Sequence, residues 1–202
     1  MKDKNKGSAR AIFLAVLLTV AASGAVVDRI AVIVGTKVIT ESQVLQELRL
    51  TEFLNQAPLD LGPAKKREEA ERMVDQQLIR NEITTSQFPM PAAESADTML
   101  ADFRRDHFVS NAAFRAALTR YGVTEAEVKE RLLWQLAVIQ FTDQRFRPEL
   151  ALTTPPANTQ SADRVKPGTE TPAGPSVDQL LEQWLKQARS NTRVIFKPEA
   201  FE

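Results

Sequence analysis

The run Asp28–Leu48, DRIAVIVGTKVITESQVLQEL, limits what this chain can fold into more than any other stretch. Arg29–Val34 is β-branched and apolar, and Gly35-Thr36 separates it from a short return, Lys37–Ile39. Glycine at the first place of a two-residue loop suits a type II′ turn, because it tolerates positive φ. Thr40-Glu41-Ser42-Gln43 is then a capping box. In that motif the Thr40 hydroxyl accepts from the Gln43 N–H, while the Gln43 side chain accepts from the Thr40 N–H. One short run thus specifies a hairpin and launches a helix. A lone two-stranded hairpin is marginal in water, so the rest of the chain has to cover it.

That rest reads as helix. Glu41–Asn55 places Val44, Leu45 and Leu48 inward. Pro58 and Gly62 mark a loop, and Pro63 suits a first helical position. The helix from Ala64 to about Ser86 starts charged over Lys65–Glu69 and turns apolar at Met73, Val74, Leu78, Ile79 and Ile83. Pro89 and Pro91 force a break. Ala92–His107 carries Ala96, Met99, Leu100 and Phe103 at helical spacing. Ser110 caps a short helix bearing Phe114, Ala117, Leu118 and Tyr121, and Gly122 ends it.

Thr124 and Glu127 form a second capping box, with Val123 and Val128 placed as a hydrophobic staple. The helix they start is expected to reach about Phe146 and to stop at Pro148. Val128, Leu132, Leu136 and Ile139 make one stripe, widened by Leu133, Trp134, Val138 and Phe141. A helix apolar on more than one side belongs at the centre of its bundle.

Residues 151–175 hold five of the eleven prolines and several threonines, the composition of a disordered linker. Beyond it, Ser176 and Gln179 form a third capping box. Val177, Leu181, Trp184, Leu185 and Ala188 share a helix face, and Arg193–Phe196 reads as a strand. One helix and one strand cannot fold alone. Their natural acceptor is the N-terminal hairpin, which a third strand would raise to the minimum for a stable sheet. The expected unit is therefore discontinuous, residues 26–150 plus 176–202, with Trp184 and Leu181 as anchors.

The first 25 residues read as an export signal. Lys2, Lys4, Lys6 and Arg10 precede the apolar run Ala11–Val20, and small residues follow. Cleavage is expected after Ala25 or after Ala22. The alternative, an uncleaved anchor, needs about 20 apolar residues, and this run is shorter. Removing residues 1–25 takes four Lys/Arg and one Asp from the 26 of each, leaving a formal charge of −3. The expected location is the periplasm, with no stable membrane insertion once the signal is gone.

Several chemistries are excluded by inventory. There is no cysteine, so no disulfide framework, thiolate nucleophile or Cys-ligated zinc. The single histidine, His107, follows Arg104, Arg105 and Asp106 at a helix end and reads as a partner for exposed carbonyls rather than as a base. Asp97, Asp102 and Asp106 read as a solvated helix face, and Trp134 and Trp184 as core anchors. No basic face argues for nucleic acid. The chain is read as no enzyme, with no catalytic residues, no metal and no cofactor.

The hairpin and helix VDRIAVIVGTKVITESQVLQEL resemble the opening of the SurA family of periplasmic chaperones. So do the segments EEAERMVDQQLIRNEI and FRAALTRYGVTEAEVKERLLWQLAVIQF. WLKQARSNTRVIFKP resembles the closing helix and strand of that family. The resemblance covers most of the chain after residue 25 except the linker. It implies a mainly α fold: a SurA-like helical chaperone core with a small antiparallel sheet made of an N-terminal hairpin and a C-terminal strand. Family members usually insert parvulin-type prolyl isomerase domains before the closing helix, each a domain of modest size. Here only Ala151–Ser176 fills that place, so no isomerase activity is expected to transfer.

The implied function is that of an ATP-independent holdase for unfolded exported or outer-membrane proteins, with a separate isomerase acting in trans as a further partner the resemblance implies. The alternative is a non-catalytic assembly or scaffold protein of the cell envelope that kept the fold without client binding. Candidate client-binding residues are the apolar side chains at loop ends, Leu54, Leu59, Phe88 and Met90. Met90, between two prolines, is the first choice because methionine adapts to irregular surfaces. Thr40, Gln43, Thr124, Glu127, Leu181 and Trp184 are expected to be structural anchors.

Overall fold

The computed structural model describes residues 28–153 and 175–202. The export signal expected at 1–25 and the linker residues 154–174 lie outside them. The described residues form six helices and one three-stranded antiparallel sheet. Strands β1 (Ile30–Val34) and β2 (Lys37–Thr40) make the hairpin, and α1 (Glu41–Leu54) follows directly. Then come α2 (Pro63–Thr85), α3 (Glu94–His107), α4 (Asn111–Tyr121) and α5 (Glu125–Thr153). After the undescribed segment, α6 (Val177–Asn191) leads to β3 (Val194–Phe196) and a short 3-10 turn, Pro198–Ala200.

The hairpin turns at Gly35, whose φ is 61°, so its loop residue sits where a side chain would be strained. β3 lies on the other side of β1, pairing Val32 with Phe196, Ile33 with Ile195 and Val34 with Val194. The sheet order is therefore β2-β1-β3, with the C-terminal segment closing on the hairpin. Two bonds beyond the paired residues extend that seam: the Gly35 N–H donates to the Arg193 carbonyl and the Lys197 N–H to the Ala31 carbonyl, each at 2.8 Å.

All three capping boxes form. Thr40 and Gln43, Thr124 and Glu127, and Ser176 and Gln179 each exchange the expected pair of bonds. The C-terminal ends of three helices close by a second device. At Gly122 (φ 66°) the glycine N–H donates to Thr119 and the Val123 N–H to Leu118, two bonds that define a Schellman turn. Gln56 and Gln87, both at φ 53°, occupy the same left-handed position after α1 and α2. The Ala57 N–H reaches Glu52, and the Phe88 N–H reaches Ile83. Without glycine these turns gave no sequence signal.

Packing falls into three clusters. The first joins the sheet to α1 and α2 through Ala31, Val32, Val34, Ile39, Val44, Ala70 and Val74, closed by Ala200 and Phe201 of the tail. The second gathers Leu50, Phe53, Leu100, Phe114, Leu118, Tyr121 and Val128 from α1, α3, α4 and the start of α5. Phe53 is its hub, within 6.1 Å of the rings of Phe103, Phe108, Phe114 and Tyr121. The third packs Ile79 and Ile83 of α2 against Trp134, Ala137 and Phe141 of α5. Leu181, Trp184 and Leu185 of α6 cover that third cluster, and Trp184 and Leu185 also reach the first. α5 thus touches α1, α3 and α6, the central place its broad apolar surface suggests.

Two expectations are corrected. Pro148 does not stop α5, which runs on to Thr153, so residues 151–153 belong to the helix rather than to the linker. Proline loses its own hydrogen bond and crowds the carbonyl one turn back, yet the bonds on either side can continue past it. Ile139 does not join the buried stripe but is 63% exposed. Val177, Leu181, Trp184, Leu185 and Ala188 are all half-buried, and the fully buried position of α6 is Leu180. At the charged start of α2, Lys66 and Glu69 are buried. Lys66 Nζ donates to the main-chain oxygens of Ala200 and Glu202, at 3.3 and 3.1 Å, and pairs with Glu41 at 3.4 Å. It therefore holds the tail against the hairpin's helix.

Candidate functional site

A groove opens where the sheet edge meets the bundle. β2 contributes Val38 and Ile39, and α1 contributes Gln43, Gln46, Glu47 and Leu50. The facing wall of α2 carries Met73, Gln76, Gln77 and Arg80. Glu127, Glu130, Arg131, Leu133 and Trp134 of α5 form the third side, and Met90 overhangs from the loop after α2. The cavity is about 680 Å³, within the ~300–1,000 Å³ of typical ligand pockets.

Its floor is polar where α1, α2 and α5 converge. Arg131 Nη1 meets Glu47 Oε1 at 2.6 Å, with both side chains only 15–16% exposed. Gln76 Nε2 donates to that same carboxylate oxygen at 3.4 Å. Gln46 Nε2 donates to Glu127 Oε1 at 2.9 Å, while Glu127 Oε2 accepts from the Thr124 N–H at 2.7 Å. One carboxylate therefore both caps α5 and ties it to α1. Arg131 Nε is buried with no partner.

Just behind this floor lies Glu69. Its side chain is wholly buried and pairs with Arg72, yet one carboxylate oxygen has no partner. Burial pushes its pKa up; Arg72 pulls the other way, and the neighbouring Glu47 adds to the rise. The desolvation cost wins because the compensating guanidinium is half in solvent, where its field is weakened.

The groove walls are apolar in patches. The Arg80 guanidinium lies 4.0 Å from the Trp134 ring centroid, so the tryptophan offers a cation-covered face at the wall. Met90 is 52% exposed and Val38 46% exposed. These are large apolar side chains that folding leaves open to water.

Of the four residues expected to contact clients, only Met90 lines this groove. Leu59 is exposed outside it. Leu54 packs against the second cluster. Phe88 packs against the third, edge-on to Phe141 at 5.6 Å. The Schellman turn at Gln87 is the reason: it folds the residue after it back onto its own helix. The four therefore make no common surface, and Leu54 and Phe88 seal helix ends.

The anchors Gln43 and Glu127 play a second part, since both also line the groove. Their capping pattern was legible, but nothing in it told that two helix starts would face one another. His107 is exposed at the last turn of α3 with its ring centroid 4.7 Å from that of Phe103. Asp97 pairs with Lys129 at 2.7 Å, and Arg105 bridges Asp102 and Asp106 at 2.6 and 3.0 Å. No family model, curated protein or solved structure matches the chain. The site must therefore be read from its own chemistry. Among the described residues no helix is long and apolar enough to cross a membrane.

Proposed function

We propose that this chain is an ATP-independent periplasmic holdase that takes a segment of unfolded, exported polypeptide into the groove between α1, α2 and α5. One observation carries the reading: exposed Met90 and Val38 lie around the same cavity as Met73, Leu133, Trp134 and four glutamine side chains. Methionine adapts its shape to varied apolar partners. Glutamine offers both a donor and an acceptor to a main chain. Such a lining suits many sequences rather than one. The resemblance of the hairpin, helices and closing strand to the SurA family supports the same reading. The clients are unfolded outer-membrane or secreted proteins, and the chain does no chemistry on them.

The test is suppression of aggregation when a urea-unfolded outer-membrane protein is diluted into buffer with the chain lacking residues 1–25. Leu133→Asp and Met90→Ser should each weaken suppression while leaving the melting curve nearly unchanged, since both side chains are partly open to water. Wild-type protein that fails to delay aggregation would refute the holdase and favour a scaffold of the envelope. Full activity in both variants would move the site elsewhere.

A further inference from the structure

The register of the hairpin determines which main-chain groups of β2 remain free. Val34 and Lys37 flank the two-residue loop and pair directly, so they exchange both ladder bonds. The next pair, Ile33 and Val38, must then turn its N–H and C=O groups away from one another. The β3 side agrees: Gly35 N–H and Ala31 C=O bond toward the C-terminal segment, so the odd-numbered residues of β1 face β3 and the even-numbered face β2. Val38 consequently directs its N–H and C=O outward from the open edge of the sheet. Thr40, two residues on, has its N–H taken by Gln43 Oε1 at 2.9 Å. Val38 is thus the residue of this edge with main-chain groups to offer, and it lines the groove.

The charges of the groove then narrow the occupant. Glu47 and Arg131 neutralise each other on the floor. What is left facing the opening is Arg80, stacked on Trp134, against the two carboxylates Glu127 and Glu130. The open face is therefore acidic by one charge and is lined by apolar side chains between its polar ones. We infer that clients bind by strand addition: an extended segment alternating apolar and basic residues pairs with Val38 at the β2 edge, apolar side chains in the groove and a lysine or arginine near Glu130. The inference rests on the holdase reading and adds its mode of recognition. Main-chain bonds of this kind are indifferent to sequence, and the alternate side chains supply the preference.

The probe is a fluorescent heptapeptide alternating valine and lysine, titrated into the chain lacking residues 1–25. A second copy of the peptide is N-methylated at alternate amides on one edge, and a third carries glutamate for lysine. Binding of the first should slow hydrogen exchange at the Val38 amide. The methylated peptide should bind up to about tenfold more weakly, the loss expected for the one hydrogen bond its N–H would donate to the Val38 carbonyl. The glutamate peptide should bind more weakly than the lysine one, and Glu130→Lys should reverse that order. Val38→Pro removes only the outward donor of an edge strand and should match the effect of methylation. Should that variant unfold, the methylated peptide on wild-type protein still decides. Equal binding of methylated and unmethylated peptides, or an unprotected Val38 amide in the complex, overturns strand addition. If Leu133→Asp abolishes aggregation suppression while methylation changes nothing, the groove reading survives and this one fails.

Discussion

Trp184 tests whether the C-terminal segment holds the fold together. It is half-buried and touches two core clusters at once, and its ring meets Phe141 edge-on at 6.3 Å. Complete burial of a tryptophan would make its truncation to alanine cost roughly 3–5 kcal/mol. Half-burial reduces this to about 2–3 kcal/mol, since less apolar area returns to water. For chains of this size each kcal/mol lowers Tm by roughly 2–4 °C, so Trp184→Ala should melt about 5–10 °C below wild type. The chain has two tryptophans, so the variant leaves Trp134 as the single fluorophore and reports the α2–α5 junction directly. Urea titration followed by that fluorescence should give a lower midpoint with an unchanged slope. Exchange at the Ile195 amide, paired across to Ile33, should speed up more than exchange within α4. A Tm drop below about 2 °C, or no preferential loss of protection at β3, would refute the view that α6 and β3 are held mainly through this side chain. Trp184 does not line the groove, so on the proposed holdase function the variant should suppress aggregation as wild type does at temperatures where it stays folded.

Four further outcomes follow from other parts of the fold. Glu69→Gln should stabilise the protein at neutral pH by about 1 kcal/mol or more, because a buried charge with an incomplete shell is replaced by a neutral isostere. Since burial raises the folded-state pKa of Glu69, its contribution is fully present below the unfolded pKa and is lost as pH rises through the folded one. The advantage of Gln should therefore fade when melting curves are repeated in acid. Gln87→Gly should raise stability by up to about 1 kcal/mol by relieving a left-handed glutamine. Gly122→Ala should cost about as much or more, since its Cβ would also come within 3.3 Å of Arg49 Nη1. Glu47→Leu with Arg131→Met should be neutral or stabilising by roughly 1–4 kcal/mol, whereas Arg131→Met alone should destabilise by leaving Glu47 unpaired. Denaturant titrations of the single and double variants measure that difference.

Much of the fold was legible because its signals are local. A glycine in a two-residue loop, three capping boxes and one glycine stop each fix a bond within five residues of themselves. The docking of β3 on β1 was legible for another reason: an amphipathic helix and a strand with no core of their own must borrow one. The failures share a cause as well. Gln56 and Gln87 take a glycine's place in their turns without a glycine's signature, so Phe88 looked free when the turn folds it inward. The burial of Lys66 and Glu69 left no local pattern to read, because their partners, the tail carbonyls and a guanidinium one turn away, are chosen by tertiary packing. The tail itself, with Ala200 and Phe201, offered no periodicity from which burial could be read.

The candidate site was the least legible part, and its composition explains why. A groove persists only where helices meet without packing their apolar faces together. Here the meeting point of α1, α2 and α5 is filled by Glu47, Arg131, Gln46, Gln76 and Glu127. Each of those residues, taken alone, reads as the polar side of an amphipathic helix. Only when three such sides face inward together do they make a floor. A buried ion pair is weak evidence for stability, since apolar residues of similar volume often do better. Its presence between three helices that could have closed on leucine is better explained by what it keeps open. The pair spaces α1 from α5 and keeps Leu133 and Val38 of the β2 edge beside an open cavity. Stability is then drawn from the three clusters around the groove, and the groove is the part of the fold that folding does not need.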